Sequence, residues 1–364
     1  MRSPFVLLVP IGIFGCVGAV DDTAPAADYA LPGPHTAGRL SVWLPGDTRD
    51  LTISVWHPSD TPATEGSMLD LAVEPADREA YEALLTAAPS DCPSRTTQAT
   101  ANASLPEPPA TGWPILLMSH CHTCTRFSTL AIAEHLATWG FVVLAPDHAG
   151  NTMFDALAGT ALPLDTDTLA LRVEDLTRTL DAADDLGLPL DHGRVGAFGH
   201  SFGAVTIGMV LQADPTVRAG MFVGAPPENP LLDGVSMDNL AQPLLFEILA
   251  EDHSVGAAGN VLIEGNYEAA PGPAWLVELA DAGHFSPSDL VGLEGENIDF
   301  SAGCGDDTRE SNGEAFTYMP AADGRGLSSG IAAAFFTHTL NGDEAAGDWL
   351  DAPVDARVGV RSNQ

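Results

Sequence analysis

Short apolar runs recur along the chain, and between them the apolar positions fall at helical spacing. Leu51, Ile53 and Val55 alternate with Thr52 and Ser54 up to Pro58, which predicts a strand with one buried face at the edge of a sheet. Residues 114–118 form an unbroken apolar strand, and Leu130, Ala133, Leu136 and Ala137 mark one face of a helix over 129–137. A second unbroken strand covers 141–145 and stops at Pro146. Leu176, Leu180 and Ala183 then share one stripe of a helix over 171–186, and a buried strand follows at 195–198. Further strands are expected at 219–223, 244–249 and 275–279, with a last helix at 331–340. Strands that are apolar throughout are buried on both faces. Their alternation with helices implies an α/β fold, a mostly parallel central sheet covered by helices on both faces.

The 364 residues suit one sizeable domain, expected over 35–352, with variable insertions at about 59–112 and 290–330 and a flexible tail over 353–364. The first insertion is rich in Pro, Ala and Thr, and only 77–87 has helical character. At the amino terminus, Arg2 precedes an apolar run over 5–20 that ends at Asp21 and Asp22. As a helix that run reaches about 24 Å, short of the roughly 30 Å hydrocarbon core, which predicts an export leader over 1–20 rather than a spanning helix, followed by a linker over 21–34. Ile13, Phe14, Gly15 and Cys16 resemble a bacterial lipoprotein cleavage box, with Phe14 where a small residue is usual. Ordinary cleavage near Gly18 or Ala19 is the alternative, so the mature protein is expected to be secreted, periplasmic or lipid-anchored to the membrane through Cys16.

Charge narrows the partners. Fifty Asp and Glu face 14 basic residues, a formal charge of −36, and every basic residue is Arg. Such a surface repels nucleic-acid phosphates, which disfavours nucleic-acid binding, and a chain without lysine cannot build a Walker-type phosphate loop. Without the leader, Cys92, Cys121, Cys124 and Cys304 remain, enough for two disulfides in any of three pairings.

The bare serine-elbow pattern GxSxG occurs twice. Gly199, His200, Ser201, Phe202 and Gly203 follow the strand at 195–198 and lead into the apolar stretch 204–211, the strand, turn and helix that a nucleophile elbow needs. Gly326, Leu327, Ser328, Ser329 and Gly330 follow no strand and read as a helix-start loop, with Ser328 or Ser329 as its cap. Ser201 is therefore the candidate nucleophile. His284 stands just beyond the strand at 275–279, and Asp252 just beyond that at 244–249. The order Ser201, Asp252, His284 is that of an α/β-hydrolase triad, in which the imidazole takes the serine proton and the acid orients it. Glu251 competes with Asp252 for the acid role, and Asp281 less well. The loop Ser119, His120, Cys121, His122, Thr123 follows the strand at 114–118, so the oxyanion donors are expected to be the amides of His122 and Phe202. His120, Cys121, His122, Cys124 and His148 also carry metal-ligating atoms. Neighbouring side chains on a short loop diverge, and Cys121 and Cys124 are alternatively disulfide partners, so no metal and no cofactor is expected.

Residues 119–123, 145–150 and 199–203, with His284 and the strand ending Val55, Trp56, His57, Pro58, resemble the platelet-activating-factor acetylhydrolase and predicted dienelactone-hydrolase-like branch of the α/β hydrolases. The resemblance runs discontinuously over about 36–352. It implies serine hydrolysis of carboxylic esters, whose members act on small acyl esters, oxidised phospholipids or polyester-like substrates. Cys121 stands where this family commonly has glycine, and Gly224 and Ala225 follow the strand after which the acetylhydrolases place their acid. The expected function is an exported serine hydrolase cleaving small-molecule or lipid-like esters through an acyl-enzyme. A thioesterase or amidase with the same triad, or an inactive cell-envelope binding module, are the alternatives.

Overall fold

The computed structural model describes residues 27–352 and 355–363, so the expected leader and its Cys16 lie outside the described residues. Ten strands make one sheet: β1 (Thr36–Leu44), β2 (Leu51–Ser59), β3 (Thr100–Ala101), β4 (Trp113–Ser119), β5 (Val142–Pro146), β6 (Leu190–His200), β7 (Val217–Val223), β8 (Leu244–Leu249), β9 (Ala274–Leu279) and β10 (Val358–Ser362). Their order across the sheet is β10-β9-β8-β7-β6-β4-β5-β2-β1-β3. The strands from β4 to β9 are parallel, while β2 lies antiparallel to both β1 and β5, and β10 antiparallel to β9. After β5 the chain crosses back over β4 to β6 and then winds the other way. The crevice at that switch point, beyond the carboxyl ends of the strands, is where open α/β sheets place their ligands. This is the α/β-hydrolase fold.

Helices α1 (Pro75–Ala87), α2 (Leu130–Thr138), α3 (Met153–Leu157), α4 (Thr166–Asp181), α5 (Phe202–Ala213), α6 (Gly256–Ala269), α7 (Ala321–Asn341) and α8 (Glu344–Asp351) surround the sheet. The pleat of β4 sends Leu116 and Met118 to a core with Ile132 of α2 and Phe335 and Phe336 of α7, and Ile115 and Leu117 to a second core with Leu176 of α4, Ile207 of α5 and Ile263 of α6. Truncating a ring such as Phe335 to alanine costs about 3 to 5 kcal/mol in a core of this kind.

The expected central strands are all present, and four expectations need correction. The strand at 51–56 is not at the edge, because β1 folds back along its other side. Part of the expected flexible tail forms β10, which covers the outer edge of β9. Tyr29, inside the expected linker, is buried and stacked on Trp139 at 4.4 Å. The last helix starts at Ala321 rather than near 331, taking ten residues from the expected second insertion and placing Ser328 inside α7. Its Gly and Ser content predicted a loop, but small residues let the helix pack closely: a Cβ on Gly324 would stand 2.7 Å from the Ser286 carbonyl oxygen. Ser328 is consequently neither an elbow nor a cap. A disulfide between Cys92 and Cys304, Cα atoms 5.8 Å apart, ties the two insertions together.

Ser328 Oγ donates instead to Glu247 on β8, at 2.8 Å, and the other carboxylate oxygen is buried without a partner. Burial pushes this carboxyl up to about 7 against the opposing pull of the Ser328 bond. Its folded pKa thus exceeds the ordinary 4.5, so its contribution to stability is full below that pH and is lost as pH rises through about 7. Glu247→Gln is expected to raise the melting temperature at pH 8 and to leave it nearly unchanged at pH 4.5. Thermal melts at the two pH values check this, and an equal shift at both rejects it.

Candidate active site

β6 ends at His200 and α5 begins at Phe202, so the chain reverses at the single residue Ser201, whose φ of 57° and ψ of −120° are sterically strained for a side-chain-bearing residue. Two glycines make the turn possible. A Cβ on Gly199 would lie 2.3 Å from the Gly203 carbonyl oxygen, and one on Gly203 would lie 2.0 Å from that of Ser119. The Ser201 amide closes the turn by donating to Val223 at the end of β7, at 2.8 Å. Phe202 opens the helix, so its N–H has no intrahelical acceptor.

Beyond β8, Asp252 is buried, and its Oδ1 accepts from the amides of Ser254 and Val255 at 2.8 and 3.0 Å. Its Oδ2 accepts from Nδ1 of His284, in the loop after β9, at 2.6 Å. Burial opposes ionisation of Asp252, but the His284 charge, its hydrogen bond and the two amides together hold the carboxyl below the usual carboxylate range. With Nδ1 committed, Nε2 is the free nitrogen of His284. His200 fixes the loop further by donating from Nε2 to the His284 carbonyl at 2.8 Å, with the two rings 4.9 Å apart. Burial, and then the neighbouring His284, push His200 down to about 3, so it is a neutral spacer.

The two acids that compete with Asp252 are otherwise engaged. Arg309 binds both Glu251 and Asp281, the latter at 2.5 Å, and lies over the Phe316 ring. Arg309 is on the turn joining the strands Asp306–Thr308 and Ala315–Thr317, a hairpin of the second insertion. Gly224, just beyond β7, is also against the imidazole: a Cβ there would stand 3.6 Å from His284 Nδ1. With glycine at that place, the acid on the imidazole comes from the next strand along.

The structure thus joins Asp252 to His284, and places Ser201 at the elbow after β6, two strands from Asp252 and three from His284, with the preceding His200 hydrogen-bonded to the His284 carbonyl. Ser201 Oγ makes no hydrogen bond to the His284 ring, whose Nδ1 is taken by Asp252. In the candidate oxyanion loop, Cys121 and Cys124 form a disulfide with Cα atoms 5.1 Å apart, which commits both sulfurs of the metal constellation. His122 lies inside that small ring, its imidazole 6.0 Å from the Phe202 ring and hydrogen-bonded to the Leu162 carbonyl at 3.1 Å.

Sequence reasoning passed over Arg172, Asp175 and Arg309. Arg172 and Asp175 sit under the candidate oxyanion loop, both buried. They share a face of α4 with Leu169 and Leu176, and charged residues on an otherwise core-facing stripe were the available signal. Arg309 lies in a segment without periodicity and gave none.

No family model matches the sequence, and no curated protein matches it. Among solved structures, the chain is similar to a ferulic acid esterase from Streptomyces cinnamoneus, at 20% sequence identity and a TM-score of 0.63, over 92% of this chain and 99% of that one. Likeness at this identity extends to the fold.

Because the neighbour of Gly203 is backbone, which cannot swing aside, Gly203→Ala is expected to destabilise the protein by about 1 to 3 kcal/mol, the usual cost of overpacking. Chemical denaturation checks this; a variant as stable as the parent means that the elbow has room to relax.

Proposed function

We propose that the chain is an exported serine hydrolase of carboxylic esters, with Ser201 as nucleophile, His284 as base and then acid, and Asp252 as the residue that orients it. The observation that carries this reading is the buried Asp252–His284 pair, 2.6 Å apart, beside a strained serine elbow in the hydrolase fold. Ser201 Oγ attacks the ester carbonyl while Nε2 of His284 takes its proton, the charge on the imidazole being offset by Asp252. The tetrahedral oxyanion is held by the N–H groups of Phe202 and His122. His284 then protonates the departing alcohol, and a water activated by the same nitrogen releases the acid from Ser201.

The substrate is a small-molecule or lipid-like ester. Strong negative surface charge favours a neutral or cationic one, since an anionic ester meets a repulsive field on approach. The ferulic acid esterase neighbour adds aromatic acyl groups to the short acyl chains suggested by the acetylhydrolase-like motifs. Two disulfides support life in an oxidising compartment, and among the described residues no helix is long and apolar enough to cross a membrane. Secretion as a free protein and anchoring through a lipid on Cys16 are distinguished by the mass of the mature amino terminus.

Purified protein is expected to hydrolyse nitrophenyl esters, and a feruloyl ester in the same series tests the aromatic preference. Ser201→Ala should lower kcat by at least about 1000-fold with folding intact by circular dichroism, and Asp252→Asn by about 100-fold or more. Glu251→Gln should retain most of the activity, since its partner is Arg309. Equal turnover by parent and Ser201→Ala rejects the reading, and a larger loss from Glu251→Gln than from Asp252→Asn transfers the acid role.

A further inference from the structure

Beneath the candidate oxyanion loop lies a buried polar cluster that the mechanism above leaves unused. It contains a second serine, histidine and aspartate in sequence: Ser119 Oγ is 2.9 Å from His148 Nε2, and His148 Nδ1 is 3.1 Å from Asp175 Oδ2. Ser119 is fully buried, and its oxygen also accepts from Arg172 at 3.1 Å, so no substrate reaches this array. Its members are arranged around a different task. Arg172 spreads its guanidinium over Thr206, Asn151, Ser119 and the carbonyl of His120, while Arg49 neutralises Asp175 from the far side. The carbonyl at the start of the loop is thereby clamped.

The next peptide is held by His120 itself. Its Nδ1 is 2.7 Å from the Cys121 carbonyl oxygen, and its Nε2 is 3.1 Å from the backbone N–H of His148. A backbone N–H only donates, so Nε2 accepts and Nδ1 carries the proton and donates to Cys121. Burial, with Arg172 and His148 nearby, keeps this imidazole neutral, well below its ordinary pKa. The Cys124 amide also donates to the same Cys121 oxygen, at 3.2 Å. In a planar trans peptide the N–H points opposite to the C=O, so whatever anchors the Cys121 carbonyl sets the direction of the His122 N–H.

We propose that His120 is a positioning residue for ester hydrolysis at Ser201: its Nδ1–H holds the Cys121 carbonyl and so aims the His122 N–H at the developing oxyanion. The inference rests on the reading given under Proposed function, and it adds a residue that never touches the substrate. The Arg172 clamp holds the peptide before Cys121 and the 121–124 disulfide closes the loop after it, while His120, together with the Cys124 amide, holds the carbonyl of the peptide that joins Cys121 to His122.

Two isosteric variants separate the two bonds of the ring. In His120→Asn the side-chain amide nitrogen takes the place of Nδ1 and preserves donation to Cys121; in His120→Gln the terminal amide reaches the place of Nε2, and the Cys121 bond is lost. On the best nitrophenyl ester, His120→Gln is expected to lose about 10- to 100-fold in kcat with KM little changed, part of the 100- to 1000-fold that a whole oxyanion donor is worth. His120→Asn should keep kcat within about threefold of the parent even if it melts at a lower temperature, since the loss tracks the aimed amide. Losses that follow melting temperature in both variants, or an unchanged kcat in His120→Gln, overturn the inference. A measurement on the parent protein avoids reliance on either variant folding: the ring 15N shifts of His120 should report a neutral Nδ1–H tautomer, and an Nε2–H tautomer overturns it. Labelling of the parent by a fluorophosphonate at Ser201 is run alongside. If Ser201 labels and turns over while the His120 tests fail, this inference alone falls; if Ser201 does neither, the parent reading falls and takes this one with it.

Discussion

Where the first turn of α5 presses against the end of β4, the Gly203 Cα faces the Ser119 carbonyl with no space for another carbon atom. Most of the candidate chemistry depends on that approach. It brings the unpaired amide at the start of α5, the strained Ser201 and the loop carrying His122 to one crevice, and does so at the switch point of the sheet. The strain at Ser201 is tolerated because its amide is tied to β7 and α5 is packed into a core on the sheet face below.

The remaining polar groups follow from excluding water around this contact. A buried carboxylate is costly unless its charge and lone pairs are met, and Asp252 meets that condition with two amides on one oxygen and an imidazole on the other. Glu251, adjacent in sequence, faces the hairpin of the second insertion and is satisfied by Arg309. The same arginine takes Asp281, so a single guanidinium removes both alternative acids from the imidazole. Beneath the loop, the hydrogen bonds of Arg172, His148, His120 and Asp175 interlock, and a cluster satisfied in this way holds one geometry rather than several.

Covalent links reinforce the parts with least regular structure. Cys92–Cys304 fastens two insertions that are far apart in sequence and share few strands, and Cys121–Cys124 closes a four-residue ring within the candidate oxyanion loop. Cysteine at 121 therefore gives this loop a cross-link.

The central strands, the α/β class, the serine elbow and the order of the three candidate residues were all legible in the sequence, because buried strands are apolar throughout and an elbow has a local glycine pattern. Asp252 and His284 stood out as candidates because strand ends are visible as the points where apolar runs stop. Other features depended on contacts between distant segments. Sequence alone did not reveal that 321–330 continues a helix, since its stability comes from close packing of small residues rather than propensity, nor that the last residues add a strand, since an edge is defined by its neighbour. It showed two cysteine pairs' worth of sulfur, three carboxylates near one histidine, and several histidines near one loop. Which cysteines join, which acid meets His284 and what the histidines hold were decided by tertiary structure, because hydrogen bonds and disulfides are set by positions in space, to within a fraction of an ångström, that residues far apart in the chain reach only when the sheet has formed.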